Sequence, residues 1–127
     1  MDKIVLVHLS DIHFTVSSGT SVHDLDDDVR NELLRDATVL TNRLGGATGV
    51  LVTGDIAFSG QKAEYDRAGS WLVEFCCAVG CPDESVWVVP GNHDVDRKVA
   101  NNKVTKMIHE SIRAKQGPAL DTELREI

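Results

Sequence analysis

Basic residues are scarce in this chain. Thirteen Lys and Arg stand against twenty Asp and Glu, a formal net charge of -7 over 127 residues. That balance argues against a broad cationic surface for phosphate backbones. Aromatic residues make up only 5%, so a core must be built mainly from Val, Leu, Ile and Ala. Cysteines number three, an odd count crowded into Cys76, Cys77 and Cys81 without a Cys-x-x-Cys spacing. That argues against a disulfide scaffold or a thiolate metal site, and for reduced cysteines packed at a helix end. No apolar run is long enough to span a membrane. Met1 leads through Ile4–Leu9 straight to Asp11, too short a stretch for a cleaved leader. A cytoplasmic location is the resulting default expectation. There is no internal repeat and no low-complexity segment.

What remains is a soluble globular composition, 42% hydrophobic and 26% charged. A chain this long suits one domain and can bury roughly two thirds of its unfolded surface. Three short apolar runs, Ile4 to Leu9, Val50 to Thr53 and Val86 to Val89, are Val-rich and nearly continuous. That pattern suits parallel strands covered on both faces. The spacing predicts a helix from about Asp27 to Leu44, with Val29, Leu33, Ala37, Leu40 and Leu44 on its apolar face and Gly45-Gly46 after it. A second is predicted from about Lys62 to Val79, with Tyr65, Ala68, Leu72, Phe75, Cys76 and Val79 as its stripe. A weaker third would run from about Arg97 to Ala114, burying Val104, Met107, Ile108 and Ile112, before Gly117-Pro118 breaks it. The tail from Ala119 to Ile127 is too polar to assign, and Thr15 to Ser21 reads as a mobile loop. The fold class is α/β, a parallel βαβαβ core with right-handed crossovers.

Each predicted strand ends in a polar cluster: Ser10-Asp11-Ile12-His13, then Gly54-Asp55, then Pro90-Gly91-Asn92-His93-Asp94. Ligands of open parallel sheets bind beyond the carboxyl ends of the strands, so the three clusters should converge. In an extended segment, Asp11 and His13 would point the same way and could share one metal. The carboxylate of Asp55 can bridge two cations, and Asn92 offers a neutral amide oxygen. Oxygen and imidazole donors without thiolate favour manganese, iron or zinc.

Plainer readings hold elsewhere. His8 lies within a strand, as a packed, hydrogen-bonded residue. His23 and His109 read as surface residues. The acidic run Asp24 to Asp28 reads as a helix start with a solvated face. Asp96 and Arg97 read as a solvated loop, and Ser10 carries little weight as a nucleophile.

The three motifs Asp-x-His, Gly-Asp and Gly-Asn-His-Asp, in this order, resemble the first three motifs of the calcineurin-like metallophosphoesterase superfamily. The resemblance spans about Lys3 to Arg97. It implies an αββα sandwich, of which residues 1–127 would be the amino-terminal part. It implies two divalent or trivalent ions, Mn, Fe or Zn, held by Asp11, His13, Asp55 and Asn92, with Asp55 between them. The implied reaction is hydrolysis of a phosphate mono- or diester by a metal-bridging hydroxide. His93 would donate a proton and Asp94 would orient its ring. The family also supplies later histidines, including a Gly-His-x-His. Here His109 is the only histidine after His93. The expectation is therefore a piece of a longer protein, or a truncated relative, with further domains as partners. The alternative is a regulatory or binding module that keeps the fold without turnover. Substrate identity (nucleotide, nucleic acid, phosphoprotein or lipid) is left open.

Overall fold

The structure, a computed structural model, describes residues 3–16 and 25–126. Strand β1 (Leu6–Leu9) leads to helix α1 (Leu25–Leu44), strand β2 (Gly49–Thr53) and helix α2 (Lys62–Val79). A single 3-10 turn, Asp83–Ser85, then enters strand β3 (Val86–Val89). Three helices follow: α3 (Arg97–Ala100), α4 (Lys103–Arg113) and α5 (Pro118–Glu126). The strands are all parallel, in the order β1-β2-β3. The expected α/β class and parallel βαβαβ core are therefore present. Two compact units result, residues 1–95 and 96–127.

In the first unit Val7 pairs with Val50 and Leu9 with Val52, and these continue to Val86 and Val88. These side chains share one face, and α1 and α2 both pack on it. Val50 and Val52 are fully buried beneath Ala37, Ala68, Phe75, Cys76 and Val79. The other face, carrying Leu6, His8, Trp87 and Val89, stays open. Trp87 is 54% exposed and Val89 60%. The expectation of a sheet covered on both faces is thus corrected for the described residues. Two right-handed crossovers that advance the sheet in one direction place both helices on the same side.

The apolar stripe of α1 also needs correction. Val29 is 66% exposed, and Leu40 and Leu44 also face solvent. The buried positions are Arg30, Ala37 and Thr41, with Leu33 and Leu34 partly covered. The buried face is turned by roughly 60° from the one that hydropathy suggests, so Leu33 and Ala37 stay in it while Val29, Leu40 and Leu44 leave it. Two polar side chains make that possible. The Arg30 guanidinium lies 4.7 Å from the centre of the Phe14 ring and pairs with Asp27 at 2.5 Å. Thr41 Oγ1 donates to the carbonyl of Ala37 at 2.7 Å.

Helix α2 keeps its expected bounds and stripe. Gly80 ends it in the left-handed conformation, φ 74°, its N–H returning to the last turn. Cys76 and Cys81 are buried there, Cys77 is exposed, and all three are free. This agrees with cysteines packed at a helix end.

In the second unit the expected single helix is broken at Asn101-Asn102. Asn102 Oδ1 accepts the Thr105 N–H at 2.8 Å, so this side chain caps α4 where it could have sat mid-helix. Val104 and Met107, expected to be buried, are exposed. The tail also forms a helix: Pro118 opens α5 with its fixed φ. Glu123 of α5 accepts from Ser111 at 2.7 Å and pairs with Lys115. Among the described residues, no helix is long and apolar enough to cross a membrane.

Candidate metal centre

Beyond the strand ends, the chains leaving β1 and β2 keep running in parallel. The Asp11 N–H donates to the Gly54 carbonyl at 3.2 Å, His13 to Asp55 at 3.0 Å, and Phe14 to Ile56 at 2.7 Å. Phe58 N–H returns to the Phe14 carbonyl at 3.1 Å. These bonds hold an unusual backbone. Asp11 (φ 55°), His13 (φ 51°) and Asp55 (φ 51°) are all left-handed. The extended Asp11–His13 segment that alternation suggested is thus replaced by a coiled one. Such residues are sparse outside glycine and cluster at functional sites. The coiling nevertheless gathers the same side chains: one ligand atom each from Asp11, His13 and Asp55 lie within 4.8 Å of one another.

The third loop is fastened to this pair. His93 N–H donates to Asp55 Oδ1 at 3.0 Å. Gly91 packs so tightly that a Cβ there would stand 2.2 Å from Asp55 Oδ1. Its place beside a carboxylate is open only to glycine. The His13 and His93 rings meet edge to face, centroids 5.0 Å apart. His93 Nδ1 lies 2.9 Å from the Phe58 carbonyl. A carbonyl can only accept, so Nδ1 carries the proton and Nε2 is the atom left for chemistry. Asn92 sits exposed between Gly91 and His93.

Asp94 behaves differently from the expected ring-orienting role. Its Oδ1 accepts from Ala57 N–H at 2.8 Å and its Oδ2 from Gly91 N–H at 2.7 Å. The Tyr65 hydroxyl donates to its backbone carbonyl. Asp94 therefore stitches the second loop to the third, and the Phe58 carbonyl holds the His93 ring. Burial, then the charges of Asp94 and Glu64, pushes the Tyr65 hydroxyl above its ordinary pKa, so it remains a donor. Glu64 is buried and accepts from Ser59 N–H, Ser59 Oγ and Gln61 N–H at 2.9–3.0 Å, anchoring the same loop to α2. The sequence carried a signal for Glu64, which stands three residues after Gln61 in a capping box. It carried none for Phe58 or Tyr65.

The donors fit a cation. Among the described residues, His13 Nδ1 is buried and has no hydrogen-bond partner. Orphaned polar atoms of that kind are rare and ask for a ligand. His13 Nε2 lies 3.9 Å from Asp11 Oδ1, too far for a hydrogen bond. Two carboxylates and an imidazole converge without thiolate, a set suited to Mn, Fe or Zn.

The remaining candidates fall elsewhere. His8 Nε2 meets Thr53 Oγ1 at 2.6 Å, hydrogen-bonded as expected, but the residue is exposed and not packed, because it lies on the open face of the sheet. His109 is exposed on α4. His23 and Asp24 lie outside the described residues, as does most of Thr15 to Ser21. Asp27 is more than a solvated helix start, since it pairs with both Arg30 and Arg67. Asp96 caps α3 through the Lys98 N–H at 2.8 Å.

The chain is 28% identical over 109 residues to an uncharacterised metallophosphoesterase-like protein of Bacillus subtilis (strain 168). That match covers 86% of this chain and 21% of the relative, so the chain spans about a fifth of the curated relative's length. The pattern that defines the calcineurin-like phosphoesterases matches residues 4–120, continuing past Arg97 into the second unit. On that match the chain belongs to the calcineurin-like phosphoesterase family.

Proposed function

We propose that this chain supplies the first half of a dinuclear centre that hydrolyses phosphate mono- or diesters. The observation that carries the reading is the convergence of Asp11, His13 and Asp55 within 4.8 Å beside a buried, unpartnered imidazole nitrogen. Asp11, His13 and Asp55 would hold one ion, and Asp55 with Asn92 a second. Bound cations would supply an activated water and neutralise charge on the phosphoryl oxygens. The chain's own residues do the rest. Phe58 fixes the His93 ring through Nδ1. A protonated His93 can then release its Nε2 proton to the departing oxygen. The Asp55–His93 backbone bond keeps proton donor and metal ligand in register. Manganese as the ion, a phosphate ester as substrate and a cytoplasmic setting with reduced cysteines belong to the same proposal. So does further polypeptide that completes the metal shells.

The test is a pair of rates for each variant. His93→Ala should slow hydrolysis of an alkyl or nucleoside ester by roughly 10²–10⁴-fold, the usual span for general acid–base catalysis. It should slow a nitrophenyl ester far less, because that leaving group hardly needs a proton. Metal content should stay at the wild-type level. Asn92→Ala should lower occupancy of the second metal and slow both esters alike. Equal losses for both esters in His93→Ala, at full metal content, would show that His93 is not the acid.

A further inference from the structure

Phe58 is a large apolar side chain that packs beside the two histidines of the metal centre and faces solvent. It is 54% exposed, while its neighbours Ile56 and Ala57 are buried. Its ring centroid lies 5.7 Å from that of His93, tilted by 38°, and 6.3 Å from that of His13. The backbone beneath it is pinned on every side. Its N–H donates to the Phe14 carbonyl and its carbonyl accepts from His93. The residue before it is held by Asp94 and the residue after it by Glu64. A large ring left half in water forgoes part of its burial free energy. Here nothing in the packing of the core requires it.

We propose that Phe58 is a stacking platform for the leaving group, and that the preferred substrates are phosphate esters whose leaving group carries a flat ring, aryl or nucleobase. The inference rests on the phosphoesterase reading of the same site. The departing oxygen must come within hydrogen-bond reach of His93 Nε2 to take its proton. Whatever is attached to that oxygen is then held beside the imidazole, and the phenyl ring is that imidazole's neighbour. Charge does not favour a different handle, since the ligands at the site are acidic and the cations would be engaged by the phosphoryl group. A platform whose backbone is already fixed loses little freedom on binding. A flat π-face is recognised without regard to its hydrogen-bonding edge. Phe58 therefore selects a class of ester and not one compound.

The experiment uses the full-length protein, with whatever polypeptide completes its metal shells, loaded with Mn²⁺ and with metal content measured before any ester is added. Binding of phenyl phosphate and propyl phosphate is then compared by calorimetry. The wild type should prefer phenyl phosphate by about ten- to a hundredfold, the range that one base–aromatic stack provides. Phe58→Ala keeps the carbonyl that holds His93, and should reduce that preference to about twofold or less. Phe58→Tyr should restore it. An unchanged preference in Phe58→Ala, or no preference in the wild type, overturns the stacking role and leaves the phosphoesterase reading intact. Metal-loaded protein that binds neither ester overturns both.

Discussion

Gly91 offers the sharpest test of the site's geometry. An added Cβ would lie 2.2 Å from Asp55 Oδ1, 2.6 Å from Asp55 N and 3.0 Å from Asp55 Cγ. Two of these atoms belong to the carboxylate and one to the backbone, so a rotamer change alone cannot clear the clash. Either the Asp55 segment or the third loop must shift. The shift loses the bond from His93 N–H to Asp55 Oδ1, which is charge-assisted. Forcing an extra carbon into a packed position costs typically 1–3 kcal/mol, and a hydrogen bond to a charged group is worth about 1.5–3 kcal/mol. The two are coupled, so Gly91→Ala should destabilise the chain by about 2–4 kcal/mol, roughly 4–8 °C in Tm for each kcal/mol in a domain of this size. Mn²⁺ affinity should fall at least tenfold, because Asp55 is moved from the cluster. Gly69→Ala is the control. Gly69 lies exposed within α2 with nothing within 4 Å of its added Cβ. The same chemical change should there stabilise by about 0.4–1 kcal/mol. The assay is thermal melting with and without Mn²⁺, and a calorimetric Mn²⁺ titration of each variant. If Gly91→Ala melts and binds Mn²⁺ like the wild type, the close approach of the third loop to Asp55 is wrong.

Asp11→Asn should match or exceed the wild type in metal-free stability, by up to about 1 kcal/mol, since Asn tolerates left-handed backbone and removes one of two adjacent carboxylates. Saturating Mn²⁺ should reverse that order, because only the wild type keeps the full ligand set; a metal-free variant that melts below the wild type refutes the reasoning. Asp27 is held below its ordinary carboxylate pKa of 3.8, chiefly by its hydrogen bond to Arg30 and also by Arg67. A depressed folded-state pKa gives stability that is present above 3.8 and lost as pH falls through the lower folded value. Asp27→Asn should therefore flatten the acid limb below about pH 4 in melts across pH, and an unchanged limb would count against the link between α1 and α2. Burial and the neighbouring Cys81 push the Cys76 thiol up to about 12. Mass spectrometry of the native chain treated with iodoacetamide should find Cys77 alkylated first and Cys76 last, and rapid loss of the Cys76 thiol would contradict the packing of α2.

How much of this was legible depended on whether packing or backbone hydrogen bonding decided the outcome. The Val-rich runs announced β2 and β3 almost to the residue, and α2 has the bounds and stripe that its spacing gave. In those elements apolar burial alone sets the structure. Helix α1 was misread on its face because Arg30 and Thr41 are buried through specific partners, a cation over Phe14 and a bond back to Ala37. Hydropathy scores those residues as solvent-facing. The break before α4 turned on one Asn102 side chain. At the site, the motifs identified Asp11, His13 and Asp55, which do converge. The left-handed backbone that brings them together was hidden, since Asp and His adopt it only when neighbouring strands enforce it. The true contact of His93, the Phe58 carbonyl, was hidden too, because a main-chain oxygen has no sequence signature.

That hidden backbone explains why the site needs the sheet beneath it. Each left-handed non-glycine residue costs roughly 1–2 kcal/mol, somewhat less for Asp and His. Two carboxylates at a separation below 5 Å repel by about 1 kcal/mol even in water. Asp11 is mostly exposed, so the water limit applies to it. Three such residues and one such pair amount to several kcal/mol, against a total stability of about 5–15 kcal/mol for a typical domain. A free loop would relax out of this arrangement. Here the parallel ladder runs on past the strand ends, from Asp11 through Phe14, so the strain is opposed by hydrogen bonds continuous with the core. Asp94 and Tyr65 close the remaining side by tying the third loop to the second and to α2. On the proposed reading, the electrostatic part of the cost would change sign with a bound cation, because carboxylates that repel one another would both attract it. The cluster would then be a liability of the metal-free chain that metal binding converts into stability. Its rigidity follows from where the strands end, and not from contacts among the ligands themselves.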